Sequence, residues 1–171
     1  MIPSILFGQK RNDSLIAKLY NITLTEYFSD TITYGQQSKH KFTLIKTEID
    51  KTKLIQNVGN KKFMFFENDN DLYEIVDRPY KSNGNRAVYS LSHKNISNDT
   101  IDVNISGRTL ENITRRRLYL SLWCGGTMGY IPDARFIYDF DKKDWTFISR
   151  EEITNQKEES RAQRRKKNDS P

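Results

Sequence analysis

Apolar and polar residues alternate with a period of two through much of the middle of the chain. Ile101, Val103 and Ile105 are each separated by one polar residue, which is the pattern of a β-strand with one buried face. Other short apolar segments lie between turn-forming residues, and we interpret them as strands at residues 40–49, 63–66, 72–76 and 87–91. Strands joined by short turns predict a mainly antiparallel sheet, a meander of hairpins with little room for crossover helices.

The most distinct hairpin is predicted around residue 140. Residues 135–140 and 145–149 are rich in aromatic and β-branched side chains, and the charged turn 141–144 joins them. Phe136 and Tyr138 are two residues apart, so we expect them on one face of the hairpin.

Helical patterns are confined to the two ends of the chain and to one internal segment. Residues 1–8 are predicted to form an extended arm. Asp13 or Ser14 can cap a short helix over residues 15–20, and a second short turn follows near residues 27–28. Together they form an N-terminal helical segment.

The internal segment is residues 109–122. Ser106 or Thr109 can cap a helix there, and Gly125 can end it, so we predict one helix near 109–122. The second part of this segment, residues 118–123, also alternates apolar with polar residues and fits a strand equally well.

The last segment, residues 151–171, is polar and charged. Most of it favours helix formation, but it has no apolar stripe that would hold a helix against a core. The sequence therefore predicts one α+β domain over residues 1–150, with a short N-terminal arm. A charged C-terminal extension follows over 151–171, partly helical or disordered.

Composition limits the size of the core. The chain has 171 residues, of which 36% are hydrophobic, below the roughly 45–50% of an average globular protein. Nine Phe, nine Tyr and two Trp offset the deficit, because each aromatic side chain buries a large area.

The sequence also narrows the cellular setting. A single cysteine forms no internal disulfide and favours a reducing compartment. The first residues lack a signal-peptide pattern, and no apolar run approaches the roughly 20 residues of a membrane-spanning helix. We expect a cytoplasmic protein, or one in a virion or large complex assembled there, with no cofactor and no small-molecule ligand.

Positive charge is the main functional signal. The net charge is +6 and the isoelectric point is near 9.3. Basic residues are concentrated in two clusters: Arg115, Arg116 and Arg117, and then Arg161, Arg164, Arg165, Lys166 and Lys167. Closely spaced Arg and Lys side chains neutralise phosphates. Residues 151–171 nevertheless hold six basic and five acidic residues, a net charge of only +1.

These observations predict a non-enzymatic protein that binds nucleic acid, DNA or RNA, through phosphate contacts of the two clusters. The alternative partner is another protein subunit. In that hypothesis the chain is a structural or assembly component of a virion or other large complex, and the segments 1–13 and 151–171 become ordered against neighbouring subunits.

Residues 130–148 resemble the core of the PD-(D/E)XK nucleases. In that family an Asp on one strand and a Glu/Asp-X-Lys on its hairpin partner hold a divalent metal and activate water. Asp133 matches the first Asp. The partner strand, residues 145–150, carries neither an acidic ligand nor a lysine, and Asp141 is followed by lysines only within the turn. The resemblance implies a third hypothesis, a degenerate or active metal-dependent nuclease.

Overall fold

The computed structural model describes residues 4–29, 42–68, 70–72, 86–114, 117–122 and 131–168. Side chains are described throughout these ranges except at residues 4–12, 86–87, 109–122 and 166–168. The chain divides into two compact units. The first unit comprises Met1–Ser92 and Ile105–Gly126, and the second comprises His93–Asn104 and Thr127–Pro171.

The first unit begins with one long helix, α1 (Ser4–Ser29). Its buried residues recur every three or four positions, so one side of the helix enters the core. These residues are Ile16, Ala17, Leu19, Tyr20, Thr23, Leu24 and Phe28. Burial raises the pKa of the Tyr20 hydroxyl, and the nearby Glu48 carboxylate raises it further.

The continuity of α1 corrects the prediction of an extended arm followed by two short helical pieces. The helix continues through Thr23 and Thr25, whose hydroxyls do not cap a new helix. They donate to the carbonyl oxygens of Leu19 and Asn21, at 2.9 and 2.8 Å. A threonine that bonds the carbonyl four residues earlier is satisfied inside a helix, so it need not begin one.

Three strands of the first unit form a mixed sheet with a fourth strand, whose first part, up to Ser92, belongs to the same unit. In spatial order the four strands are β2 (Asn57–Val58), β3 (Lys61–Phe66), β1 (Thr43–Lys46) and β4 (Arg86–Ser97). Strands β2 and β3 are antiparallel, whereas β1 runs parallel to both β3 and β4. Successive residues of β1, Leu44 and Ile45, are both 0% exposed, so both faces of this strand are covered.

Helix α1 packs on this sheet through aromatic rings. The ring centroid of Phe28 lies 5.1 Å from that of Phe63 on β3 and 5.2 Å from that of Tyr89 on β4. Asn21 ties the same helix to the following loop. Its amide donates to the carbonyl oxygen of Lys53 at 3.1 Å and accepts from the amide nitrogen of Ile55 at 2.9 Å.

The predicted helix near 109–122 is wrong. Strand β5 (Thr100–Thr114) extends into this segment, and β6 (Arg117–Leu122) pairs with it antiparallel, from Arg108↔Leu122 to Thr114↔Arg117. The alternation of residues 118–123, which also fitted a strand, was the better signal. A cap and a distant glycine mark possible ends, whereas a period of two specifies the element between them.

The predicted strand at 63–66 is confirmed by β3, but the strand at 72–76, predicted to follow it in the meander, is wrong where the structure describes it. Residues 70–72 are helical, and residues 73–76 lie outside the described ranges. The side-chain oxygen of Asn68 accepts from the amide nitrogens of Asn70 and Asp71, at 2.9 and 3.1 Å. Asn68 therefore acts as a helix cap, and the chain turns into a helix rather than back along β3.

The second unit contains the hairpin that the sequence predicted. Strand β7 (Ala134–Asp139) pairs antiparallel with β8 (Asp144–Ser149), and β7 also pairs with residues 100–103 of β5. Phe136 is 0% exposed, and its ring centroid lies 5.5 Å from that of Phe147. The strands are paired up to Asp139 and Asp144, and in the turn between them Lys143 adopts a left-handed φ of 54°.

Helix α2 (Arg150–Asn168) follows β8 directly. The prediction of an α+β protein with a mainly antiparallel sheet is therefore confirmed, with the parallel pairs of β1 as the exception. Among the described residues, no helix combines the length and the apolarity needed to cross a membrane. The domain boundary that we placed at residue 150 stays a prediction.

Candidate functional site

The first turn of α2 is fixed by a reciprocal capping arrangement. The backbone nitrogen and the hydroxyl of Ser149 both donate to the carboxylate of Glu152, at 2.8 and 2.9 Å, and the Glu152 nitrogen donates to the Ser149 hydroxyl at 3.3 Å. This is a capping box, which satisfies amide groups at the helix start. The hydrogen bonds from the Ser149 backbone and hydroxyl lower the pKa of Glu152 below its ordinary value.

Two further contacts attach the beginning of α2 to the sheet of the second unit. The guanidinium of Arg150 donates to the carboxylate of Asp133 at 2.9 Å, and the Asp133 side chain is only 8% exposed. Ile153 is 7% exposed. The Asp133 amide also donates to the carbonyl oxygen of Val103 on β5, at 3.1 Å. The first turns of the helix are thus anchored.

Beyond Lys157 the helix is no longer covered. Every residue from Glu158 to Arg165 is exposed. At 3.6 residues per turn, successive positions are about 100° apart, which places Lys157, Arg161, Arg164 and Arg165 within an arc of about 100°. We define these four side chains as the basic face of α2; it spans about 12 Å along the helix axis at about 1.5 Å per residue.

Acidic side chains lie on the other side of the helix. By the same rotation, an adjoining arc of about 120° contains all four glutamates of α2: Glu151, Glu152, Glu158 and Glu159. Between Lys157 and Arg165 the helix is therefore amphipathic in charge rather than in hydrophobicity. By the same rotation, Lys166 lies within the glutamate arc. The side chains of Arg161, Arg164 and Arg165 form no hydrogen bond or ion pair with another described residue.

No family model, curated protein or solved structure matches this chain.

The basic face contains three of the predicted site residues, Arg161, Arg164 and Arg165. Lys166 and Lys167 belong to the last turn of α2, where only the backbone is described. Arg117 is the first residue of β6, in the first unit. The two remaining predicted residues, Arg115 and Arg116, lie outside the described ranges.

Lys157 and the capping box were not identified from the sequence. The signal for Lys157 was its spacing of four residues from Arg161 and seven from Arg164, which places all three on one side of a helix. The signal for the start of α2 was a serine followed three residues later by a glutamate, Ser149 and Glu152.

Charge is distributed unevenly between and within the units. The first unit holds 17 basic and 11 acidic residues, a net charge of +6, and the second holds 11 of each. Up to Ser160 the second unit has six basic and ten acidic residues; from Arg161 onward it has five basic and one acidic. Its attraction for anions is therefore concentrated at the end of α2.

The aromatic tip of the β7–β8 hairpin does not extend this basic surface. Phe140 is 70% exposed, and the ring centroid of Tyr138 lies 5.1 Å from that of Phe140 and 5.5 Å from that of Trp145. Residues 139–144 carry three aspartates and two lysines. The tip therefore has a net charge of −1 and does not attract phosphates.

Asp133, the residue on which the nuclease hypothesis rests, has its carboxylate engaged by Arg150. Within the described ranges, no three His, Cys, Asp or Glu side chains are grouped so that they could hold a metal ion. The nuclease hypothesis stays a prediction. Loss of magnesium-dependent cleavage in an Asp133→Ala variant is the result that it requires.

Proposed function

We propose that the protein binds the phosphates of nucleic acid without catalysing a reaction. Among the residues that the structure describes, the basic face of α2 makes the main contact. One observation carries the proposal. Arg161, Arg164 and Arg165 are exposed on one side of an anchored helix, and they form no ion pair with the described residues. Guanidinium groups presented in this way bind phosphate oxygens through charge-assisted hydrogen bonds.

The chemistry of α2 favours nucleic acid over an anionic membrane. A helix that binds a membrane surface inserts an apolar face between the lipids. From Glu158 to Arg165 the only apolar residue is Ala162, so this part of α2 has no such face. A nucleic-acid backbone requires only closely spaced positive charge. The net charge of +6 in the first unit adds long-range attraction.

The number of cations on the face gives an expected salt dependence. Four neutralised phosphates correspond to a slope of log affinity against log salt of about −2.8 for a single strand and about −3.6 for B-form DNA. Between about 50 and 200 mM salt, the affinity should then fall by roughly 50-fold to 150-fold.

Fluorescence anisotropy with labelled single-stranded RNA, single-stranded DNA and duplex DNA measures this dependence. We expect the variant Arg161→Ala/Arg164→Ala/Arg165→Ala to bind more weakly and to reduce the steepness of the salt slope by about 2 to 3 units. Lys94→Ala/Lys142→Ala/Lys143→Asn is the matched control. It removes three positive charges from the second unit away from the basic face, and asparagine tolerates the positive φ at residue 143.

Binding by the wild type tests the proposed function, and the comparison of the two triple variants tests whether the basic face is the binding site. Failure of the wild-type protein to bind any of the three probes at low salt overturns the proposed function. Equal weakening by the two triple variants shows that overall charge, rather than the basic face, determines binding.

A second candidate function, a structural subunit of a larger assembly, is favoured by the exposure of Phe140. A ring that is 70% exposed at a hairpin tip is the kind of aromatic anchor that protein interfaces bury. Analytical ultracentrifugation of wild type and Phe140→Ser tests self-assembly. Association that depends on protein concentration and is lost in the variant supports this candidate, and a monomer at all concentrations contradicts self-assembly.

A further inference from the structure

We infer that the end of α2 binds nucleic acid as a helix, with the phosphates of one strand lying along the basic face. This inference rests on the proposed function. It adds that the end of α2 is helical when it binds and that the phosphates lie on one side of the helix. The alternative that it excludes is a flexible basic tail, in which only the number of positive charges matters.

The geometry of the charges makes the site one-sided. From Lys157 to Arg165, the basic face occupies about 100° of the helix surface, and the other charged residues, Glu158 and Glu159, lie in the adjoining arc of about 120°. A helix inserted into a DNA groove meets phosphate rows on both flanks, because its diameter of about 10–12 Å is close to the width of the major groove. That position would bring Glu158 or Glu159 against phosphates. A single phosphate row along the basic face avoids this repulsion.

The helix is marginal beyond its anchor, which couples binding to its formation. Only the first turns of α2 are anchored, and the residues from Glu158 to Arg165 are exposed. Isolated helices shorter than about 12–15 residues are marginal in water. The part of α2 beyond Lys157, residues 158–168, is of that size. Lys157 and Arg161 are four residues apart, as are Arg161 and Arg165, and like charges at this spacing repel.

Bound phosphates remove that repulsion. Any group that binds the helical form better than the unfolded form also stabilises the helix. Nucleic acid should therefore increase the helicity at the end of α2, and a substitution that weakens the helix should weaken binding even when it changes no charge.

A charge-preserving exchange tests the one-sided site. The variant Arg161→Ala/Ala162→Arg keeps the composition and the net charge, and it uses two of the best helix formers. It moves one guanidinium by about 100°, from the basic face to the side of Glu158 and Glu159. In this position it follows Glu158 by four residues, a spacing that supports the helix.

In about 0.1 M salt, we expect the exchange to lower the affinity for a 20-nucleotide fluorescein-labelled oligouridylate about fivefold and to reduce the steepness of the salt slope by about 0.7, the loss of one neutralised phosphate. Far-UV circular dichroism verifies that the variant is folded. If the wild-type protein binds the probe and the exchanged variant binds it equally well, the one-sided site is wrong and a flexible tail is correct. Absence of wild-type binding to this probe and to single-stranded and duplex DNA at low salt overturns the proposed function itself.

A second variant tests whether the end of α2 must be helical in order to bind. Ala162→Gly lies off the basic face and changes no charge, and we expect it to weaken binding by up to about fivefold through its effect on the helix. Hydrogen exchange of amides 158–168 should slow when the oligouridylate is added. Unchanged exchange with bound probe contradicts the coupling.

A duplex and a vesicle serve as comparison ligands. Binding of a 20-base-pair duplex that is equally sensitive to the Arg161→Ala/Ala162→Arg exchange supports contact with one phosphate row. Insensitivity of the duplex to the exchange contradicts a single face for that ligand. Equally sensitive binding to phosphatidylserine vesicles overturns the assignment to nucleic acid.

Discussion

The ion pair between Asp102 and Arg135 supports the sheet on which α2 is anchored, and the two partners should contribute unequally to stability. The pair is bidentate, with distances of 2.7 and 2.9 Å between guanidinium nitrogens and carboxylate oxygens. The two residues lie directly opposite each other on β5 and β7. The Asp102 side chain is 1% exposed, whereas the Arg135 side chain is 32% exposed.

The difference in exposure determines the expected order of the two single variants. Arg135→Met leaves a carboxylate buried without its cation, which costs about 3–5 kcal/mol of the free energy of unfolding. Asp102→Asn leaves a guanidinium that still reaches water, so we expect a loss of about 1–3 kcal/mol. A whole domain is stable by only about 5–15 kcal/mol, so both losses are measurable.

Urea unfolding followed by far-UV circular dichroism at neutral pH, applied to the wild type, both single variants and the double variant, measures these quantities. We expect the double variant to be destabilised by less than the sum of the single variants, with a coupling energy of at least about 1.5 kcal/mol. A larger loss for Asp102→Asn than for Arg135→Met, or a coupling energy below about 0.5 kcal/mol, would refute the argument from burial.

Three other predictions concern the helices and the core. Asn21→Ala removes both hydrogen bonds that tie α1 to the loop at residues 53–55, so urea unfolding should show a loss of about 1–3 kcal/mol; a loss below about 0.5 kcal/mol contradicts this. Because the folded-state pKa of Glu152 lies below its ordinary value of 4.5, the capping box stabilises α2 above that pH and is lost as the pH falls through the lowered pKa. The protection factors of amides in the first turns of α2, which correct for the slower intrinsic exchange in acid, should therefore fall at low pH for the wild type but not for Glu152→Gln. An equal fall in both proteins would remove Glu152 as the cause. Phe136→Ala should lower the free energy of unfolding by about 3–5 kcal/mol, because Phe136 is 0% exposed. Phe140→Ala should change it by less than about 0.5 kcal/mol. A lower urea midpoint for Phe140→Ala than for Phe136→Ala would contradict the assigned core.

The parts of the fold that the sequence predicted correctly are those set by neighbouring residues. The β7–β8 hairpin was recognised because both strands and their turn lie within 16 consecutive residues, Ala134–Ser149. The sequence also predicts that Arg161, Arg164 and Arg165 bind phosphates, because basic residues are clustered there; this binding stays a prediction. Neither inference needed information about distant parts of the chain.

The errors arose where distant pairing decides the structure. Residues 109–114 carry a possible helix cap, but β5 extends through them and pairs with β6. Leu44 and Ile45 look like part of a strand with one buried face, yet both are fully buried because both faces of β1, a strand with a parallel neighbour on each edge, are covered. A local pattern does not reveal parallel neighbours, since their partners lie about 20 and 44 residues away.

The central position of β1 has a consequence for how the chain folds. Its partners, Phe63–Phe66 and Val88–Ser90, are parallel to it, so neither pairing can grow outward from a tight turn. Non-local pairings are slow to form because a long loop must close first, whereas a hairpin such as β7–β8 forms in about 1–10 μs. During synthesis, β1 must wait until residue 90 has left the ribosome before both of its edges are paired. Until then, the edges of Thr43–Lys46 remain open to other chains, and this period is the point of greatest exposure to aggregation.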